Sequence, residues 1–169
     1  GSTKSGIAPA AEAYYGRRNK CVGDFKSLFE SIKGIYVVPD VYEFLKNLEY
    51  MSPNGLFIAG EGAQGYGLDP KSGVRPFVTS THCNVSSFYN SGPSPQSANN
   101  IIGIFKAYDT YVGARTEFQT VVPDAYLATL KQYQIDGGEF GTTTGRGRFA
   151  NFLNIEMLIQ AINWNGVTI

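Results

Sequence analysis

Apolar residues change their period along this chain, and that change is what most limits the fold open to it. Phe25, Leu28, Phe29 and Ile32 share one face of a helix predicted over 22–33. Val41, Phe44, Leu45 and Leu48 repeat the helical spacing over about 40–49, with Asp40 placed to cap it. Ala125, Leu127, Leu130 and Tyr133 predict a helix after Pro123, and Ile155, Leu158, Ile159 and Ile162 another. Shorter runs between them have the composition of strands. "GLFIAGEGAQG" at 55–65 reads as a buried strand entering a glycine-rich turn, and "RPFVTST" at 75–81 as a strand ending in hydroxyls. The second half of "IIGIFKAYDTYVGA" at 101–114 reads as a third. Residues 85–100, rich in Ser, Asn, Gly and Pro, predict a long loop. Strands alternating with helices point to an α/β architecture. The final "NGVTI" reads as the start of a buried strand, so the chain is expected to be an excerpt from a longer one.

Bulk properties narrow the function classes. The 169 residues suit one domain or one lobe, and 43% hydrophobic content is enough to bury a core. Fourteen basic residues balance 14 acidic ones, which argues against nucleic-acid or membrane-surface binding. Cys21 and Cys83 are the only cysteines; a bond between them stays open, but two thiols make no disulfide framework. His82 is the only histidine and no CxxC occurs, so no metal site is expected. Neither a membrane-length apolar run nor a signal peptide is visible, so a cytoplasmic setting is expected.

The densest chemistry lies in "FGTTTGRGRF" at 140–149. Threonine hydroxyls and freed backbone N–H groups donate to anions, and an arginine fork fits a carboxylate or phosphate bidentately. Thr142, Thr143, Thr144, Arg146 and Arg148 thus form a candidate anion clamp, against the alternative of a solvated polar loop. "GEGAQG" at 60–65 opens room at a strand end, and Gln64 can both donate and accept, as the lactam edge of a purine requires. An ordinary turn is the competing reading. Thr79, Ser80 and Thr81 follow a strand-like run and could hold a phosphate, although threonine is common in strands.

Taken in order, five segments resemble the adenylosuccinate synthetase family. "GSTKSGIAP" at 1–9 is similar to the family's GTT-x-x-GIGP loop, and "GRRNKCVGDF" at 16–25 to ARRG-x-RVGDL. "GEGAQGYGLD" at 60–69 with "RPFVTST" resembles EGAQGTLLD and YPFVTSS. "GIFKAYDTYVGA" at 103–114 resembles GILKAYTTRVG, and "GGEFGTTTGRGR" at 137–148 resembles NEFGATTGRPRR.

The resemblance implies the central portion of a P-loop-NTPase-like α/β fold. The family's phosphate-binding loop, general base and histidine would lie upstream, and its guanine-binding part after Ile169. It implies a ligase: a nucleoside triphosphate, GTP or ATP, with Mg2+, phosphorylates the 6-oxygen of a purine nucleotide, and L-aspartate then displaces the phosphate. Thr3 and Thr79 match threonines at the nucleotide's 5′-phosphate, and Gln64 the glutamine beside the base and its 6-oxygen. Arg17 matches an arginine donated across a homodimer interface to that phosphate. Thr143, Thr144 and Arg146 match the aspartate loop, with Arg146 also reaching the nucleotide, and Arg148 matches the arginine near the triphosphate. Departures occur at Ala8, in the short stretch from Phe25 to Glu61, and in "GARTEFQT" at 113–120. The compact stretch resembles archaeal members of the family or its viral relatives, which leaves open IMP, or dGMP as in the viral relatives that build 2-aminoadenine nucleotides, with host cytoplasm as the setting in the viral case. A non-catalytic nucleotide-binding homologue is the other class.

Overall fold

The structure, a computed structural model, describes residues 5–51, 58–112, 122–142 and 144–169. The chain divides into two compact units, one over Gly6–Ile101 and one containing Ile102–Ile169.

Helices and the loops tied to them make up the described part of the first unit. Helix α1 (Ile7–Tyr15) starts after Gly6 and carries Pro9 in its first turn. Four alanines favour the helix by propensity, and it has no buried residue, so no apolar stripe announces it. The helix expected over 22–33 is split into a 3-10 turn, Val22–Phe25, and a short α2 (Lys26–Glu30). Asp24 is the reason for the split: its carboxylate accepts the Cys21 N–H at 2.7 Å and closes a tight turn where helix was expected. Helix α3 (Val41–Met51) forms as its period predicts. Asp40 Oδ1 accepts the Glu43 N–H at 3.1 Å, the expected cap. Glu49 on α3 accepts the Ser94 N–H at 2.8 Å and ties the following loop to this helix.

The expected loop at 85–100 contains α4 (Val85–Asn90) and a 3-10 turn, Pro95–Ser97. Asn84 caps α4 by accepting the Ser86 N–H at 3.0 Å, and local capping outweighs the loop-like composition. "RPFVTST" is not a strand; Phe77 N–H donates to Val74 O at 2.9 Å and Thr79 N–H to Leu68 O at 2.8 Å. β-propensity needs a partner strand to be realised, and these bonds make turns instead. Residues 58–65 of the expected strand at 55–65 are not strand either, and the rest lies outside the described residues.

In the second unit, β1 (Tyr108–Tyr111) and β2 (Phe149–Phe152) pair antiparallel, with Tyr108 opposite Phe152 and Tyr111 opposite Phe149. β1 lies where the sequence places it; the four-residue β2 was hidden behind the arginine motif. A 3-10 turn, Asp124–Tyr126, leads into α5 (Leu127–Asp136), which packs on β2. Leu130 and Tyr111 are the buried apolar residues here. Tyr133 on α5 stacks on Tyr108 at 5.5 Å between ring centroids. Helix α6 (Ile155–Asn165) is capped by Asn154, whose side chain accepts the Met157 N–H at 2.9 Å. The Asn154 N–H donates to Asp109 on β1 at 2.9 Å. The terminal "NGVTI" forms no strand; Ile169 O instead accepts the Gly103 N–H at 3.0 Å.

Candidate functional site

The threonine–arginine segment folds as a closed hairpin. Phe140 and Gly147 form an antiparallel bridge. Gly141 N–H donates to Arg146 O at 2.8 Å, and Gly145 N–H to Gly141 O at 2.7 Å. Gly145 has φ of 62°, a left-handed conformation that favours glycine. Thr142, Thr144 and Arg146 are exposed around the turn, and Thr143 lies outside the described residues. The Thr144 hydroxyl accepts the Arg146 N–H at 3.5 Å.

Arg148 differs from Arg146 in being half-buried and anchored. Its backbone N–H donates to Glu139 O at 2.8 Å, and its Nη1 donates to Glu139 Oε2 at 3.0 Å. Glu139 is only 3% exposed. Its Oε1 also accepts Lys106 Nζ at 2.7 Å and the Tyr108 hydroxyl at 2.9 Å. Burial pushes the carboxyl up, but donation from Lys106, Tyr108 and Arg148 outweighs it and holds Glu139 below its ordinary range. The same bond pushes the Tyr108 phenol up. Gly137 makes room for this contact, since a Cβ there would collide with the Tyr108 hydroxyl.

A second buried carboxylate organises the loop that carries Thr79. Asp69 is fully buried. Its Oδ1 accepts Lys71 N–H at 2.8 Å, and its Oδ2 accepts Cys83 N–H at 2.7 Å and Asn84 Nδ2 at 3.1 Å. His82 Nδ1 lies 3.2 Å from Oδ2. Burial raises the Asp69 pKa, and the backbone donors with His82 overcome it, so the net direction is down. Burial and the Asp69 charge together push the Cys83 thiol up. Both cysteines are free thiols.

Gln64 and Arg17 are exposed and lie in the same unit. They share one feature: among the described residues they are the two non-glycines with positive φ, 63° and 56°. Side chains other than glycine or asparagine adopt this conformation at a cost, and such residues cluster at functional sites. Thr3 lies outside the described residues.

Asp69 and Glu139 escaped the sequence reading. Each stands inside a motif already singled out, at the end of "GEGAQGYGLD" and beside "FGTTTG", and an acid among glycines was the available signal. Two hollows, one lined by Val122, Leu127, Leu130 and Phe149, the other by Cys21, Phe29, Val37 and Val41, include none of the candidate residues. Among the described residues, no three His, Cys, Asp or Glu side chains are grouped to hold a metal ion. No described helix is long and apolar enough to cross a membrane.

The family model described as adenylosuccinate synthetase matches residues 19–169. The chain belongs to the adenylosuccinate synthetase family. It is 43% identical over 116 residues to the adenylosuccinate synthetase of Bdellovibrio bacteriovorus, covering 68% of this chain and 26% of that protein. Against the enzyme of Thermosipho africanus it is 32% identical over 192 residues, covering 99% of this chain and 47% of the relative. The chain thus spans about half, or less, of the length of the curated relatives it matches. A solved structure of fully ligated adenylosuccinate synthetase from Plasmodium falciparum matches with a TM-score of 0.74 at 25% identity, covering 99% of this chain and 46% of that one. The cyanophage S-2L succinoaminodeoxyadenylate synthetase, solved with dGMP and dATP as energy donor, matches with a TM-score of 0.55 at 20% identity, covering 86% and 46%, a likeness of fold. The expected α/β class and adenylosuccinate synthetase fold therefore hold.

Proposed function

We propose that the whole protein is a ligase that joins L-aspartate to the 6-position of a purine nucleotide, IMP, through a 6-phosphoryl intermediate driven by GTP. Family membership over residues 19–169 carries this reading. A purine 6-oxygen leaves poorly until it is phosphorylated, and two anionic co-substrates then need fixed donors. Exposed Thr144 and Arg146 supply such donors; with Thr143 they take the aspartate carboxylates, Arg146 also reaching the nucleotide. Arg148 takes the triphosphate. Thr3 and Thr79 hold the 5′-phosphate, and Gln64 contacts the base at its 6-oxygen. Arg17 enters from the partner subunit of a homodimer, and the setting is the cytoplasm. Mg2+ accompanies the triphosphate, but the described residues of this chain do not fit a metal site, and no step here is assigned to it.

A second reading, dGMP as the purine substrate, draws on the fold likeness to the cyanophage enzyme and on the departures at Ala8 and 113–120. The 2-amino group of dGMP must find an acceptor or open space, since burying it unpaired costs about 1–3 kcal/mol. A site built around the ribose 2′-hydroxyl would reject a deoxynucleotide.

The whole protein is incubated with aspartate, Mg2+, GTP or ATP, and IMP, GMP or dGMP separately, and succinyl-purine product is followed by mass. Efficient product from IMP is expected. Product from dGMP with little from IMP moves the assignment to the second reading, and no product from any of them favours a non-catalytic nucleotide-binding homologue. In the same assay Arg146→Ala lowers kcat/KM for aspartate by the equivalent of about 2–5 kcal/mol, the cost of losing one partner of a charge-assisted pair.

A further inference from the structure

We infer that Glu139 is the positioning residue of the triphosphate-binding arginine. It rests on the assignment of Arg148 made above. Three groups from two separate segments converge on one buried carboxylate: Lys106 and Tyr108 at β1, and Arg148 at the end of the hairpin. The guanidinium meets Glu139 through Nη1 alone, and the Nε–Nη2 edge takes no partner among the described residues. That edge is a two-donor fork of the kind that fits a phosphate. Two cations stand against one anion, which leaves one net positive charge at the cluster. Glu139 therefore spends one edge of Arg148 to aim the other and leaves the excess charge for an anionic ligand.

The carboxylate also keeps two like charges together. Without it Lys106 and Arg148 would repel each other, and the long arginine stem would sample many rotamers. The backbone bond from Arg148 N–H to Glu139 O makes the positioning local as well as electrostatic.

Glu139→Gln keeps the shape and removes the charge. In the whole protein it is expected to raise KM for GTP about tenfold while KM for the purine nucleotide changes less than about threefold. Arg148→Ala should show the same selectivity. In the Arg148→Ala background Glu139→Gln should add nothing, since it acts through that side chain. Tyr108→Phe removes one donor to the carboxylate, leaves both cations, and serves if Glu139→Gln does not fold; a GTP-selective rise of about twofold or more is expected. Additive losses in the double variant, or equal losses for both nucleotides, overturn the inference. If the wild-type protein does not ligate, the proposed reaction fails, and titration with a fluorescent GTP analogue compares the same variants by Kd. Equal Kd values, or no binding at all, then overturn this inference too.

Discussion

At the scale of single residues, the two buried carboxylates make the sharpest claims. Asp69 and Glu139 are held below their ordinary values of 3.8 and 4.5. A carboxylate with a depressed folded-state pKa contributes stability that is fully present above its unfolded value and is lost as pH falls through the folded one. Acid unfolding is therefore expected to steepen below about pH 4, and Asp69→Asn should flatten that dependence. At neutral pH the same variant should lower stability by about 1–3 kcal/mol, because donors built for two charged oxygens meet one carbonyl. Urea midpoints at pH 7 and at several values from about pH 4 down to about pH 2 check both; an unchanged pH slope would remove Asp69 from the account. The contrast with the threonines and arginines shows what a sequence displays. Donors clustered at 142–148 announce anion chemistry because type and spacing are local. The weight of Asp69 and Glu139 comes from burial and from partners 14 and 33 positions away, and neither distance is visible in a motif.

At the scale of elements, helical period was readable where apolar residues repeat it, and the acidic cap Asp40 was readable beside it. Helices α3, α5 and α6 fall where spacing places them. α1 rests on alanine propensity without a buried face, α4 on the Asn84 cap within serine-rich sequence, and β2 on pairing with β1. Each depends on something other than periodicity: loop-like composition concealed α4, and no periodic signal marks α1 or β2. The expected strands at 75–81 and 165–169 fail for the complementary reason: their residues favour strands, but their backbone groups bond in turns or singly. The Asn154 cap allows a test. Its side chain holds the first turn of α6, while its backbone N–H fixes that turn to Asp109. Asn154→Ala removes only the first contact and should cost about 1 kcal/mol, whereas Asn154→Ser or Asn154→Asp should keep most of it. Thermal unfolding of the three variants reads the difference. Equal losses in all three would show that the side-chain cap carries no stability.

At the scale of the whole molecule, the proposed homodimer makes a prediction that no single chain can meet alone. Arg17 stands exposed just beyond α1, its N–H bonded to Tyr14 O at 2.9 Å. Tyr14 and Tyr15 beside it are 63% and 71% exposed, large rings with little cover. Aromatic residues and arginine are the types enriched where subunits meet, so the end of α1 has the composition of an interface. If Arg17 serves the partner's nucleotide while Arg146 serves its own subunit, the two defects can be separated by mixing. A subunit with Arg17→Ala still has Arg146, and receives a sound Arg17 from a partner carrying Arg146→Ala. One site of the mixed dimer then holds both defects and the other neither. Random mixing of equal amounts makes half the dimers mixed, each with one of two sites intact, so activity should recover to about a quarter of wild type. Each variant dimer alone should stay near background. Mixing must be verified independently, by two affinity tags recovered together after unfolding and refolding or after co-expression. Proven mixing without recovery would mean that each subunit supplies its own Arg17, and the exposed tyrosines would then need another explanation.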